Sequence, residues 1–247
     1  MDNLFQLYDT LIDEIPTGYP ITNTLSGDQW TVVETADTFG MAMTTPCDTS
    51  SPPFSIPYEG MELRELAQAA KSWNLTEASY GVAAINAYYN TPRHLDALQA
   101  TLDYDLYCTS GLDLHNKRIG VVGHLNMPDF VREQASELLI LERSPRPGDY
   151  PDSACEWILP ICDIVLITGS TLVNKTLPRL LQLCENACTI LTGPTVPLCP
   201  ALLDQGIDRI AGLVITDRAG MTHKIQTNQS GPPYPYGRSF LLSRNSL

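Results

Sequence analysis

The sequence predicts a two-part α/β protein in which an α+β domain precedes a Rossmann-like, doubly wound parallel sheet. In the second half, five short apolar segments alternate with short helical segments, a pattern typical of parallel strands covered on both faces. The first half lacks this alternation and has a helix, a hairpin and then helices. Because the composition changes near residues 112–117, we predict domains at residues 1–112 and 113–247.

The N-terminal domain is predicted from helical and strand-like patterns. Apolar residues at helical spacing predict an amphipathic helix over residues 4–15, ended by Pro16 and Gly18. A Trp-, Val- and Thr-rich strand at 29–34 and a strand at 41–45 flank a hairpin turn. Three helices are expected next. The first covers residues 62–73, and the second runs from an N-cap at Thr76 to residue 89. The third covers residues 94–100 and is opened by Thr91 as N-cap and Pro92 at the first helical position.

The C-terminal domain is predicted from its alternating segments. Strands are expected at residues 118–125, 138–142, 163–168, 188–192 and 209–216. Helices are expected at residues 130–137, 152–159, 176–184 and 200–204. The chain from about residue 223 is rich in Asn, Ser, Pro, Gly and Tyr, and we expect a tail or a covering extension there.

The charge balance restricts the partners of the protein. Fifteen Lys and Arg against 28 Asp and Glu give a net charge of −13, which argues against nonspecific binding to nucleic acid or to anionic membranes. The sequence has neither a secretory signal nor an apolar run of membrane-spanning length, so we expect a cytoplasmic protein that does not bind membranes. Exposed apolar faces on the short helices are compatible with a homodimer.

The cysteines argue against two common structural sites. There are seven, an odd number, and no two form a C-x-x-C pair. A zinc ribbon or finger and a disulfide framework are therefore not expected. Small buried hydrophobes are the expected role of most of these side chains.

In an open parallel sheet, ligands bind beyond the carboxyl ends of the strands. His124 directly follows the first predicted strand of the second domain, which points it towards such a crevice. There it could act as a general acid or base, a metal ligand or a hydrogen-bonding group. The alternative is a half-buried histidine that bonds a loop carbonyl.

Glu142 ends the next predicted strand, 19 residues after Gly123. An acidic residue at this place binds ribose hydroxyls in nucleotide-binding folds. The alternative is a solvated carboxylate paired with Arg143 or Arg146. The G-x-G-x-x-G fingerprint is absent, which argues against a tightly bound pyrophosphate.

Small polar residues follow two further strands. A helix start that carries several hydroxyl residues suits an anion, whereas ordinary capping needs one such residue. The spacing is not that of a P-loop. The candidate residues after these two strands are Gly169, Ser170, Thr171, Asn174 and Thr176, and then Gly193, Pro194 and Thr195.

Most of the chain resembles the heavy-metal chelation family, whose function is unestablished. The segments that carry the resemblance are RIGVVGHL, DIVLITGSTLVNKTLPRLL and LTGPTVPLCPALLDQGIDRIAGLVI in the second half, and WTVVE, FGMAMTT and SYGVAAINAYYN in the first. The resemblance implies an enolase-N-terminal-like domain, a Rossmann-like domain and a pocket between them. It adds Asn86 to the ligand-binding residues and implies His124 and Glu142 as metal ligands.

Three hypotheses follow. In the first, the protein binds a small anionic or polar metabolite between its domains. The sequence does not identify a cofactor, and the resemblance implies that the ligand is a metal ion or a metal chelate. In the second, it is an enzyme that uses a nucleotide or S-adenosylmethionine, with Glu142 on the ribose. In the third, it is a structural or regulatory module whose crevice is vestigial; the surplus of polar residues at the strand ends argues against this.

Overall fold

The computed structural model describes residues 5–47, 51–52, 54–98, 100–102 and 111–244. It confirms the predicted α/β class: a small antiparallel sheet with helices is followed by a large, mostly parallel sheet with helices on its faces. Within the described part of the chain, no helix is both long and apolar enough to cross a bilayer.

The first part contains a three-stranded antiparallel sheet in the order β1-β2-β3, covered by helices. Its elements are α1 (Gln6–Asp13), β1 (Ile21–Ser26), β2 (Trp30–Thr35), β3 (Phe39–Met43), α2 (Leu63–Ala67), α3 (Leu75–Tyr89) and α4 (Pro92–Ala97). A 3₁₀ turn, Gln68–Lys71, extends α2. The predicted hairpin and helices are present, and β1 is an additional strand that the Asn- and Thr-containing sequence did not reveal.

Helix α3 is buried on nearly all sides. The predicted N-cap at Thr76 is wrong, because Asn74 has the extended backbone of a cap and its side chain accepts a hydrogen bond from Glu77 N at 3.1 Å. Small residues let neighbouring elements approach the helix closely. A Cβ at Gly40 of β3 would lie 2.1 Å from both Ala83 O and Ala87 N, so only glycine fits at this crossing.

The second part is built around an eight-stranded sheet. Its strands are β4 (Thr101–Leu102), β5 (Arg118–Val122), β6 (Glu137–Glu142), β7 (Tyr150–Pro151), β8 (Ile164–Thr168), β9 (Cys188–Thr192), β10 (Arg209–Ile215) and β11 (Gly237–Ser243). Its helices are α5 (Asp129–Gln134), α6 (Cys155–Ile158), α7 (Ser170–Val173), α8 (Leu177–Leu183) and α9 (Arg218–Gln226). Thr101–Leu102 already pairs with this sheet, so the large sheet begins before residue 113.

The strand order is β4-β11-β10-β9-β8-β5-β6-β7. The six strands from β5 to β10 run parallel, and their order is that of a doubly wound Rossmann-like sheet. The chain passes from β5 to β6 on one side and returns to place β8 on the other, so the topological switch point lies between β5 and β8. The carboxyl ends of β5, β6 and β8 therefore meet at one edge.

The C-terminal segment is part of the fold. Residues after 217 form α9, and β11 then pairs antiparallel with β10 over seven residues, Arg209 opposite Ser243 through Ile215 opposite Gly237. The predicted helix at 200–204 is a 3₁₀ helix, Pro200–Gln205, ended by Gly206 at a φ of 91°.

Two hydrophobic clusters join the two parts of the chain. The main apolar cluster contains buried side chains of α1 and α3 together with side chains of β8, α7 and α8. A second cluster joins Trp30, Val32, Phe39 and Met41 of the small sheet to β10 and α9. The parts are thus packed as a single unit in this structure.

The crossing at Gly40 yields a stability prediction. We expect Gly40→Ala to lower the free energy of unfolding by about 3 kcal/mol, because the added methyl overlaps the backbone of α3. Gly60→Ala is the control: its φ is 85° but a Cβ there meets nothing within 4 Å, so conformational strain alone should cost about 1 kcal/mol. Urea unfolding measures both, and equal losses would contradict the packing argument.

Candidate functional site

A cavity of about 330 Å³ opens at the switch point of the large sheet. Residues from the ends of β5, β6 and β8 line it, and Met43, the last residue of β3, completes one side together with Thr45. The ligand position expected for an open parallel sheet is therefore a concave space here.

The lining has a polar and an apolar part. The polar and charged members are Thr45, His124, Glu142, Arg143, Asp152, Thr168, Ser170, Thr171, Asn174 and Thr176. The apolar members are Met43, Val122, Leu141, Cys155 and Leu180, and Gly123 completes the lining. Six of the eleven predicted ligand-binding residues thus line one cavity: His124, Glu142, Ser170, Thr171, Asn174 and Thr176.

Gly123 determines how His124 leaves the sheet. Its φ of 97° favours glycine, and a Cβ there would lie 2.8 Å from Thr168 Cγ2. Gly123 N donates to Leu141 O at 2.9 Å, which ties the turn to β6. The chain therefore turns sharply after β5 and brings His124 to the end of the neighbouring strand.

The imidazole of His124 lies between two carboxylates. Its Nε2 is 2.6 Å from Asp149 Oδ2, and its Nδ1 is 3.5 Å from Glu142 Oε2. The side chain is 24% exposed, so the ring is accessible from the cavity. The position is not that of a histidine bonded to a loop carbonyl, the alternative considered from sequence.

Glu142 is held by the backbone. Its Oε2 accepts a hydrogen bond from His124 N at 3.0 Å, and its Oε1 accepts one from Arg143 N at 2.7 Å. The ion pair between Glu142 and Arg143 or Arg146 that the sequence left as an alternative does not form. The Arg143 side chain lies 3.4 Å from Asp152 instead. Two amides thus orient the carboxylate towards the histidine.

Sequence reasoning missed Asp149. It closes a turn in which Pro147 and Gly148, with a φ of 99°, precede Asp149 N, which donates to Arg146 O at 2.9 Å. Proline followed by glycine is the signature of a type II turn, and it could have revealed this residue. The hydrogen bond from His124, aided by one from Arg146 N, lowers the pKa of the Asp149 carboxyl below its ordinary value.

The hydroxyl-rich segment after β8 is partly self-bonded. Thr171 Oγ1 donates to Thr168 O at 2.6 Å, and the hydroxyls of Ser170 and Thr168 are 3.2 Å apart. Asn174 Oδ1 accepts from both the amide of Thr176, at 3.1 Å, and its hydroxyl, at 2.6 Å. Thr176 occupies the N-cap position of α8 but its side chain does not cap that helix.

Three comparisons place the chain among known proteins. Residues 110–239 match the family DUF364 and residues 8–89 match DUF4213, both described as "Putative heavy-metal chelation". The chain belongs to the DUF364 family. It is also 34% identical over 169 residues to an uncharacterised protein of Methanocaldococcus jannaschii, a match that covers 63% of this chain and 61% of that protein's length.

Two solved structures of DUF364 proteins, both of unknown function, share the fold over nearly the whole chain. The protein from Desulfitobacterium hafniense is 34% identical, with a TM-score of 0.88 and 98% of each chain covered. The protein from Pyrococcus horikoshii is 25% identical, with a TM-score of 0.77, and 97% of this chain and 99% of that chain are covered.

The other predicted ligand-binding residues of this DUF364 chain lie in turns next to the cavity lining or between the two parts of the chain. Asn86 Nδ2 donates to Met41 O at 2.7 Å and to Thr195 O at 2.9 Å, and the hydroxyl of Thr195 accepts from Met43 N at 2.9 Å. These two residues join the small sheet to the large one. Gly169, Gly193 and Pro194 belong to the adjoining turns, and a Cβ at Gly169 would lie 2.6 Å from Val196 Cγ2.

Asn90 was also missed by sequence reasoning. Its Nδ2 donates to Val196 O at 2.9 Å and to Leu213 O at 3.3 Å, and its Oδ1 accepts from Leu198 N at 2.8 Å. All three partners belong to the second part of the chain. A buried asparagine just after a helix carries no sequence signal that distinguishes this role from ordinary helix termination.

We expect Asn90→Ala to lower the free energy of unfolding by about 2–3 kcal/mol, because it leaves buried backbone groups of the second part without partners. Asn186→Ala is the matched control; Asn186 is exposed, so its loss should change stability by less than about 0.5 kcal/mol. Thermal unfolding monitored by circular dichroism measures both, and an unchanged Asn90→Ala protein would contradict the proposed interdomain bonds.

Proposed function

We propose that this protein binds a metal ion already held by a small polar metabolite, and that it does so in the cavity at the ends of β5, β6 and β8. The single observation that carries the proposal is the imidazole of His124 held between Asp149 and Glu142 at the cavity wall. The family's description, heavy-metal chelation, agrees with it in class.

His124 and Glu142 fit a pair of metal ligands. Nitrogen and oxygen ligands lie about 2.1 Å from zinc, and tetrahedral angles then separate two of them by about 3.4 Å. His124 Nδ1 and Glu142 Oε2 are 3.5 Å apart. Asp149 contacts the other ring nitrogen of His124 and is the kind of carboxylate that commonly orients a metal-binding histidine.

The protein supplies too few ligands to close a site alone. Among the residues that the structure describes, no group of three His, Cys, Asp or Glu side chains is arranged to hold a metal. The remaining ligands therefore come from a small molecule. A cavity with hydroxyls and an amide on one side and apolar groups on the other suits such a molecule.

The donors favour a metal of intermediate softness over a thiol-seeking one. Cys155 lines the cavity, but burial, with a smaller effect of Asp152, raises the pKa of its thiol to about 11. A thiolate, which soft metals prefer, is therefore disfavoured there. Imidazole and carboxylate suit ions such as Zn²⁺ and Ni²⁺.

The probe we would use is Ni²⁺–nitrilotriacetate, a chelate whose four donor atoms leave two positions for protein ligands. We expect one chelate to bind per tag-free chain and His124→Ala to lose at least about tenfold in affinity. His223→Ala is the control, because His223 lies on α9, away from the cavity lining. Isothermal titration calorimetry measures all three proteins.

Nitrilotriacetate without metal should not bind in the same titration. Equal affinity of the wild-type and His124→Ala proteins for the nickel chelate would refute the proposal. Tighter binding of bare Ni²⁺ than of the chelate would refute the need for a small-molecule partner.

Asp149 should act through the histidine. We expect Asp149→Asn to weaken binding of the nickel chelate about 10- to 100-fold, because the amide cannot hold the His124 ring as a carboxylate does. Asp204→Asn is a control for the loss of one negative charge, since Asp204 lies in the 3₁₀ helix Pro200–Gln205 and not at the cavity. Equal effects of the two substitutions would reduce the role of Asp149 to overall charge.

A second candidate is an adenosyl-bearing ligand, and the observation that favours it is the position of Glu142. Glu142 ends the strand next to β5 in a Rossmann-like order, where an acidic residue binds ribose hydroxyls. Both of its oxygens already accept backbone amides, so a ribose would have to share them. A thermal shift with S-adenosylmethionine that Glu142→Gln abolishes and His124→Ala retains would support this candidate over the metal chelate.

A further inference from the structure

Lys175 is a buried cation in an unfavourable backbone conformation. It is 8% exposed, and its φ of 63° lies in the left-handed region, which costs a residue other than glycine roughly 1–2 kcal/mol. Asn174 and Thr176, on either side of it, both line the cavity. The left-handed residue therefore sends two neighbours to the cavity and its own side chain away from it.

The ammonium group of Lys175 is held at the junction with the first part of the chain. Its Nζ donates to Val173 O at 2.8 Å and lies 5.9 Å from the centroid of the Trp73 ring, within the range of a cation–π interaction. Glu77 of α3 attracts it across the junction. These interactions act on the segment that forms one cavity wall.

Glu77 is itself buried, at 2% exposure. Its Oε1 accepts a hydrogen bond from Phe54 N at 3.3 Å, whereas its Oε2 accepts none from the residues that the structure describes. An under-bonded carboxylate in a low-dielectric setting attracts a nearby cation strongly. Glu77 thus compensates in part for the desolvation of Lys175.

We infer that Lys175 is a positioning residue for the cavity: its ammonium group, attracted by Glu77 and placed over Trp73, keeps residue 175 left-handed and so directs Asn174 and Thr176 into the cavity. The relevance of this wall to binding rests on the proposed function, but the positioning itself does not. It can therefore be tested with no ligand present.

Burial lowers the pKa of Lys175 to about 8, and Glu77 opposes this shift. The pKa is about 10.4 in an unfolded chain, so between pH 8 and 10.4 the unfolded chain binds more protons than the folded one. The contribution of Lys175 to global stability therefore rises with pH in this window. The wall, in contrast, loses its ammonium group and loosens.

Two tyrosines, one beside the segment and one near Glu77, do not titrate in this pH window. Tyr8 of α1 donates its hydroxyl to Leu172 O at 2.7 Å, and burial raises its pKa. Burial, with a smaller effect of Glu77, raises the pKa of Tyr58 to about 12. Lys71 and Asp9 are paired with each other at 2.7 Å.

The test is hydrogen exchange of the amides of Asn174 and Thr176, which bond Ser170 O and Asn174 Oδ1. We expect Lys175→Met to speed their exchange about 5- to 30-fold, the equivalent of the left-handed cost. Lys224→Met is the matched control: Lys224 is 4% exposed and bonds Gln229 O and Ser230 O, away from the cavity.

A second substitution and a pH series separate positioning from general packing. Glu77→Gln alone should speed the exchange of the same amides. In the Lys175→Met background it should cause no further increase in their exchange rate. In the wild type, their protection, corrected for intrinsic exchange, should fall between pH 7 and 9 while global stability does not. Unchanged amide exchange in Lys175→Met would overturn the inference. So would a pH series of the wild type in which amide protection and global stability fall together.

Discussion

The parallel register of β5 between β6 and β8 is the constraint on which the rest of the site depends. Because the three strands run in one direction, their carboxyl ends meet at a single edge, and the residues that follow them cannot avoid one another. The turn at Gly123 then brings His124 to Glu142, and the turn that ends at Asp149 closes on the other ring nitrogen. An imidazole between two carboxylates is a product of the sheet topology.

The first part of the chain makes this edge into a cavity. Helix α3 packs against the small sheet and against α7, and Asn86 within it and Asn90 just after it bond backbone groups of the second part. The small sheet is therefore docked on the second part through directional bonds as well as apolar contacts. The end of β3 and Thr45 reach the cavity as a result. The same helix carries Glu77, whose charge acts on Lys175 in the segment after α7.

The fold was largely predictable because its strands and helices differ in period and in apolar content. The five apolar segments of the second half became parallel strands, and the strand ends correctly brought His124, Glu142 and the hydroxyl segment together. Elements whose pairing depends on distant partners were missed: β1 is polar, β7 has two residues, and β11 lies in a Gly- and Ser-containing segment that only its register with β10 explains.

The site was predictable to the extent that it follows from strand ends. Asp149 and Asn90 were not found, because each acts through a turn or a helix terminus whose partner is far away in the sequence. Asn86 was predicted as a ligand-binding residue from the family resemblance alone. Its side chain instead donates hydrogen bonds to Met41 O and Thr195 O, between the two parts of the chain. Nothing local in the sequence distinguishes a ligand-facing asparagine from one that joins two domains.

The most direct test of the account is a crystal structure of the protein with Ni²⁺–nitrilotriacetate, with anomalous differences measured at the nickel edge. We expect one strong peak within bonding distance of His124 Nδ1 and Glu142 Oε2, with the chelate extending along the wall formed by residues 170–176. A peak at Cys155 or elsewhere on the chain, or a cavity without nickel at saturating chelate, would contradict it.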